Sequence, residues 1–263
     1  MSIITISRGS FSGGRMLAEC LARKLGYRCV DRDVIIERAA ASGISQDNLR
    51  EALQKPPGFL ERFSHRRYRY LALIQAALTE EIKSGEAIYH GLGGHLLLQS
   101  APHILRTRLI APMEYRVRLA RKRLKFSREE AVAYIEKVDQ ERQKWTQFLY
   151  GVDWGDPALY DIVLNLEHTN IEQACNTIST LALQRCFQIT PKFQKQLNDM
   201  ALASRVKATL ATHTSTSELE MEVSADNGIV SIRGSVPTDL LKEIAEIARG
   251  VPGVTDLHVQ ENN

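Results

Sequence analysis

The stretch Ser2-Ile3-Ile4-Thr5-Ile6-Ser7-Arg8-Gly9-Ser10-Phe11-Ser12-Gly13-Gly14-Arg15-Met16, running on into Leu17-Ala18-Glu19-Cys20-Leu21-Ala22-Arg23-Lys24-Leu25, decides the fold. Its β-branched opening reads as a strand. Apolar residues at 17, 18, 21, 22 and 25 then recur with a helical period that stops at Gly26. Between strand and helix, Gly9 and Gly14 stand at the G-x-x-x-x-G spacing of a phosphate-binding loop, with Arg15 where that motif usually has Lys. Consecutive N–H groups in such a loop curl around an anion, and the following helix aims its positive end at the same point. Glycines let the main chain approach, and a cation at 15 would neutralise the outer phosphate oxygens. Met16 offers no hydroxyl to a magnesium ion.

Outward from this unit, the pattern repeats. Glu86-Ala87-Ile88-Tyr89-His90-Gly91, Leu105 to Ala111 before Pro112, and Asp161-Ile162-Val163-Leu164-Asn165-Leu166 read as strands, with helical patterns over 66–84, 113–150 and 170–187. Strands alternating with helices predict right-handed crossovers and an α/β fold with a parallel sheet covered on both faces.

Thr190-Pro191 ends that pattern and begins another. A helix over 192–212, a Thr/Ser linker at 212–217, strands at 220–224 and 229–233 flanking Asp226-Asn227-Gly228, a helix from Pro237 to 249 and an alternating strand at 254–259 give an αββαβ order. Asn227-Gly228 is a type I′ turn signal. The expected division is therefore 1–188 and 192–263, with the second part folding on its own. In the hairpin, alternation sets Met221, Val223, Val230 and Ile232 toward the helices and Glu220, Glu222, Ser231 and Arg233 outward.

Composition sets limits on function. Hydrophobic residues at 44% and charged residues at 25% fit an ordinary globular protein. The absence of a long apolar run or a leader-like start predicts a cytoplasmic protein without a transmembrane segment. Cys20, Cys29, Cys175 and Cys186 lie far apart, without metal-ligand spacing, and no metal site is expected. From 192 onward seven Lys/Arg face ten Asp/Glu, so the net +3 of the chain becomes +6 over the first 191 residues. An anionic ligand belongs in that first part, and no nucleic-acid partner is expected. Its basic residues concentrate in 114–144, where Arg118, Arg121 and Lys122 recur at helical spacing.

Several separated motifs together resemble the cytidylate kinase-like family of P-loop proteins. They are Ile4 to Ile35 with its S-R-x-x-x-S-G-G-R loop, Ala111 to Arg118, Asp139-Gln140-Glu141-Arg142, and Asp153-Trp154-Gly155-Asp156-Pro157 followed by Tyr160 to Asn165. The resemblance implies phosphoryl transfer from ATP, with Mg²⁺, to a nucleoside monophosphate or similar acceptor. It implies that Gly9, Ser10, Phe11, Ser12, Gly13, Gly14, Arg15 and Met16 hold the triphosphate and that Arg118, Arg121 and Arg123 form a lid, Arg123 on the nucleotide. Arg15, Arg118, Arg121 and Arg142 would supply catalytic charge, and Asp139 and Arg142 would contact the acceptor. Asp31 or Asp33 would orient the acceptor or hold Mg²⁺ through water, N-capping being the alternative for Asp33. The segment 34–70 would shape the acceptor pocket. One departure is His90-Gly91-Leu92-Gly93-Gly94-His95, where related kinases tend to carry G-R: Leu92 brings neither charge nor hydrogen bond. With Arg15 and Met16 it keeps open a second expectation, a nucleotide-binding regulatory protein without turnover.

The tail, in Asp226 to Val236 and Val251 to Val259, is similar to a BON domain. That resemblance implies membrane or ligand binding, and fusion to a kinase-like part makes a sensing or interaction role toward a protein or small solute the expectation here. Its acidic balance argues against attraction to anionic lipid, so peripheral membrane contact is not the expected mode.

Overall fold

The computed structural model describes residues 2–54, 66–91, 93–98, 101 and 103–261. Leu92 and residues 55–65 of the acceptor segment lie outside them.

Packing divides the chain into two compact units, and neither is one continuous stretch: 2–32 with 54 and 85–189, and 33–53 with 66–84 and 190–261. The expected division at 188–192 coincides with only one of the places where the chain passes from one unit to the other.

The first unit is built on β1 (Ile3–Arg8), β2 (Arg28–Asp31), β3 (Ala87–His90), β4 (Ile104–Ile110) and β5 (Ile162–Asn165). All pair in parallel, in the order β2-β3-β1-β4-β5. β1 is buried from Ile3 to Ser7, as a central strand covered on both faces must be. Even-numbered Ile4 and Ile6, with Ile88, Leu105 and Leu109, pack against Leu17 and Leu21 of α1 (Gly14–Leu25) and Cys175 and Ile178 of α8 (Ile171–Ala182). Each such side chain contributes roughly 1.5–3 kcal/mol by leaving water. Odd-numbered Thr5 and Tyr89 face the short α5 (Gly94–Leu97), where a Cβ on Gly94 would stand 2.4 Å from the Tyr89 ring.

The long helical pattern at 113–150 is two helices, α6 (Met113–Leu124) and α7 (Arg128–Tyr150). Lys125 ends the first in the left-handed region at φ 61°, and Ser127 starts the second by exchanging capping hydrogen bonds with Glu130. No tertiary contact is needed to explain the break.

The second unit contains α2 (Arg32–Ala40, whose first residue belongs to the other unit), α3 (Gln46–Gln54), α4 (Arg66–Ile82) and α9 (Pro191–Thr212), followed by β6 (Glu222–Asp226), β7 (Ile229–Gly234), α10 (Leu241–Arg249) and β8 (Asp256–Glu261). β7 pairs antiparallel with β6 and parallel with β8. Asn227 and Gly228 take φ of 50° and 86°, which a two-residue type I′ turn requires. Met221, Val230, Ile232, Ile244, Ala248 and Leu257 form a core with Leu202, Val206 and Leu210 of α9. α9 also buries Phe193, Leu197, Ala201, Ala208 and Ala211, because α4 packs on it as well. Glu222 and Arg233 stand opposite each other and exposed, as the alternation predicts. Among the described residues no helix is long and apolar enough to cross a membrane.

Candidate active site

The loop between β1 and α1 turns on two left-handed residues, Phe11 (φ 58°) and Gly13 (φ 84°), and Gly13 caps α1 without any side-chain hydrogen bond to its first amides. Those amides are free to meet an anion. The glycines are there for approach. A Cβ on Gly14 would fall 1.9 Å from Cδ of Arg8, and one on Gly9 would fall 2.9 Å from Oγ of Ser12 and 3.2 Å from Cζ of Arg116. Two arginine side chains are thus folded directly against the loop backbone.

Asp139 of α7 organises the loop. Its carboxylate accepts from the Ser10 amide at 3.1 Å, pairs with Arg116 of α6, and lies 3.8 Å from Arg142. Arg116 Nε also donates to the Ser10 carbonyl at 2.7 Å, and Arg142 donates to the Arg8 carbonyl at 3.0 Å. Burial, then the Arg8 charge, push the Arg142 guanidinium down to about 10. Arg8 is lowered by burial and by the charges of Arg32 and Arg123. Guanidiniums that depress one another in a buried place have too little negative charge nearby, and an anion would relieve them.

Unsatisfied polar atoms point to the same conclusion. Ser10 Oγ, Ser12 Oγ, Arg8 Nε, the Tyr89 hydroxyl and His90 Nδ1 are buried without a hydrogen-bond partner, all at or beside the C-terminal ends of β1 and β3. Ligands of open parallel sheets bind at that edge. Tyr89 is held well above its ordinary pKa by burial, so it remains a phenol. His90 is pushed down to about 4 by burial and by Arg8, so it remains neutral. His95, also lowered to about 4 by burial, stacks on Tyr160 with ring centroids 4.7 Å apart, and the Tyr160 hydroxyl joins Ser7 and the Trp154 carbonyl. This second cluster is internally satisfied on the tyrosine side and braces β1 against the 153–160 loop.

The expected residues fall into two groups. Gly9 to Gly14, Asp139 and Arg142 come together around one loop. Arg15 does not turn into it: the side chain is exposed and pairs with Glu19 at 2.8 Å along α1, and Met16 is exposed beside it. Arg118, Arg121 and Arg123 are exposed on α6, and of the three only Arg123 is electrostatically felt at Arg8. Asp31 ends β2, next to the guanidinium cluster, whereas Asp33 belongs to the other unit and lies 3.6 Å from Arg50. Arg8, Arg116 and Arg32 are site residues not assigned from the sequence. Arg8 carried a signal, since a charge closing an otherwise apolar central strand is costly unless it is used.

The cradle, the orphaned hydroxyls and the surplus guanidiniums fit a polyphosphate. They do not form a dedicated magnesium site. Met16 has no oxygen to give, and no cluster of three or more His, Cys, Asp or Glu suited to a metal occurs among the described residues.

Residues 3–168 match the model of the cytidylate kinase-like family, and residues 198–260 match that of the BON domain. A cytidylate kinase of Ignicoccus hospitalis is 29% identical over 188 residues, covering 70% of this chain and 100% of the relative. One of Thermococcus kodakarensis is 25% identical over 167 residues, covering 63% of this chain and 80% of the relative. In fold, the chain is similar to the crystal structure of an uncharacterized protein from Eubacterium ventriosum, with a TM-score of 0.55 at 16% identity over 68% of this chain and 97% of that one. With more than half of its length matched by the family model and its phosphate loop ringed by Arg8, Arg116 and Arg142, the chain belongs to the cytidylate kinase-like family and carries a BON domain behind it.

Proposed function

We propose that the unit formed by 2–32 and 85–189 binds ATP on Gly9–Met16 and transfers its terminal phosphoryl group to a nucleoside monophosphate, CMP before others, taken up by the insertion 33–84. The observation that carries this is the gathering of Arg8, Arg116 and Arg142 at one glycine loop with Asp139 as their shared carboxylate. The transfer forms a bond between an acceptor phosphate oxygen and the γ-phosphorus and breaks the bond to the β-γ bridging oxygen, so ADP leaves. Its loose transition state spreads charge over three equatorial oxygens, and preorganised cations there lower the barrier. The acceptor oxygen is already deprotonated at neutral pH, so no base is needed. In this arrangement Arg8 supplies the loop charge expected of Arg15, and Arg142, with its orientation set by Asp139 and the Arg8 carbonyl, faces the transferring group. Arg118, Arg121 and Arg123 on exposed α6 act as the closing lid. Magnesium bound to the nucleotide would supply further charge neutralisation on the phosphates, with none of the loop side chains needed to hold it. The BON module presents Glu222, Ser231 and Arg233 to a protein or solute partner.

A second reading, nucleotide binding without turnover, is favoured by Arg15 lying paired with Glu19 and by the thioether at Met16. Incubation with ATP, Mg²⁺ and CMP, followed by ³¹P NMR, separates the two. CDP and ADP appearing in equal amounts supports transfer. ATP that stabilises the protein against heat yet is never consumed supports the second reading.

A further inference from the structure

The insertion between β2 and β3 is built into the tail. On α4, the Tyr68 hydroxyl accepts from the Met221 amide at 2.9 Å and donates to the Met221 carbonyl at 2.5 Å. Both backbone groups of the residue just before β6 are therefore satisfied by one phenol 153 positions earlier in the chain. Burial pushes Tyr68 up to about 12, so the proton it donates stays on through the neutral range. Lys207 of α9 stands 4.8 Å from the centre of the same ring, a cation–π contact that burial makes stronger. At the other end of α4, Gln194 of α9 donates to the Lys83 carbonyl at 2.6 Å. α2 is tied in turn to α4 by Arg38 and Glu81 at 2.5 Å. The three helices line one cleft of about 310 Å³, with Arg38 from α2, Leu73 and Ala77 from α4, and Arg205, Ala208 and Thr212 from α9.

These bonds run from the residue before β6 through α4 to α2, whose first residue, Arg32, follows directly on Asp31 at the end of β2. The chain leaves the parallel-sheet unit after Arg32, and residues 33–53 and 66–84 are packed with the tail before it returns at Gly85. Gly85 and Glu86 take positive φ in succession at the return point, at 73° and 50°. We propose that the BON module is a working part of the acceptor-binding body: it holds α2 and α4 in place through Tyr68 and Gln194, and so sets the affinity for the acceptor. This rests on the insertion being the acceptor-binding segment, as proposed above. Tyr68 is accordingly a positioning residue, and whatever the module binds acts on acceptor affinity first.

The test uses the full chain. Tyr68→Phe keeps the ring and removes both hydrogen bonds to Met221, and Gln194→Ala cuts the second tie independently. CMP and ATP are titrated calorimetrically into each, and amide hydrogen exchange is followed along the chain. Loss of a net hydrogen bond or two should weaken CMP about three- to tenfold and speed exchange in α2, α4 and β6, with ATP affinity and exchange in β1 and β4 unchanged. Both variants binding CMP as tightly as the parent would overturn the inference alone. A fall in ATP affinity that keeps pace with the fall in CMP affinity would also overturn it, since the tail would then support the whole fold. A parent that binds ATP but no nucleoside monophosphate would remove the acceptor assignment and this inference with it.

Discussion

The phosphate loop and the BON hairpin are both glycine turns between regular elements, and they treat their polar groups in opposite ways. Around Asn227-Gly228 the polar groups answer one another: Lys195 pairs with Asp199 and Asp226, and the Asn227 amide donates to Asp199 at 2.9 Å. Around Gly9 to Gly14 they do not. Ser10, Ser12 and Arg8 hold buried atoms without partners, and guanidiniums outnumber the carboxylate they share. Unsatisfied buried groups destabilise a fold by about 1–3 kcal/mol each. A turn that keeps them is being used for something other than folding, whereas a turn that satisfies them all is scaffold.

The largest effect that would break this comparison is at Arg142. It is half-buried, bonded to the Arg8 carbonyl and near Asp139, so Arg142→Ala leaves a cavity and weakens the hold on Asp139 and the loop. Stability should fall by about 3 kcal/mol, the lower end for breaking a buried ion pair, and turnover by at least on the order of 100-fold. Arg128→Ala, which removes an exposed partner of Glu114, should change turnover by less than about twofold. Equal effects in steady-state kinetics and urea melts would erase the distinction between the two kinds of arginine.

How much of this was legible in the sequence follows the range of the interactions. β1, the loop and α1 were legible because strand propensity, glycine spacing and helical period agree within 25 residues. The Asn227-Gly228 hairpin was legible for the same reason. The helix break at 125–127 is also local, yet it was missed: Ser127 with Glu130 three positions on is a capping box, and it sits inside an otherwise continuous apolar period. Arg15 was expected inward because the motif places a cation there, but Glu19 lies one turn along α1 and captures it. Arg8 could be quoted within a motif but not weighed, since its value comes from being buried against Gly14. The union of insertion and tail was out of reach. It depends on Tyr68 finding Met221, and no local period carries information across 153 residues.

A smaller effect sharpens the comparison through pH. His90 and His95 are each held near 4 by burial, below the ordinary value near 6.5 of an unfolded chain. Below 6.5 the unfolded chain binds these protons and the native state does not. The stability that the neutral rings contribute is therefore complete above about 6.5 and lost as pH falls toward 4, by roughly 2–3 kcal/mol per histidine. In thermal melts from pH 7 to pH 4.5, the parent should lose stability steeply and His90→Asn with His95→Asn less so. Parallel curves would mean that the two rings are not the buried neutral groups of the parallel-sheet unit.

Arg8→Met tests most directly whether the guanidinium cluster at the end of β1 is the phosphate site, as proposed. Methionine keeps the stem that packs against Gly14 and removes the charge and the orphaned Nε. In a calorimetric titration with ATP, the parent should bind and Arg8→Met should bind at least about 10- to 100-fold more weakly, the value of one charge-assisted hydrogen bond, with an unchanged circular dichroism spectrum. If Arg8→Met binds ATP as tightly as the parent, the positive cluster at the end of β1 is not where the phosphates lie.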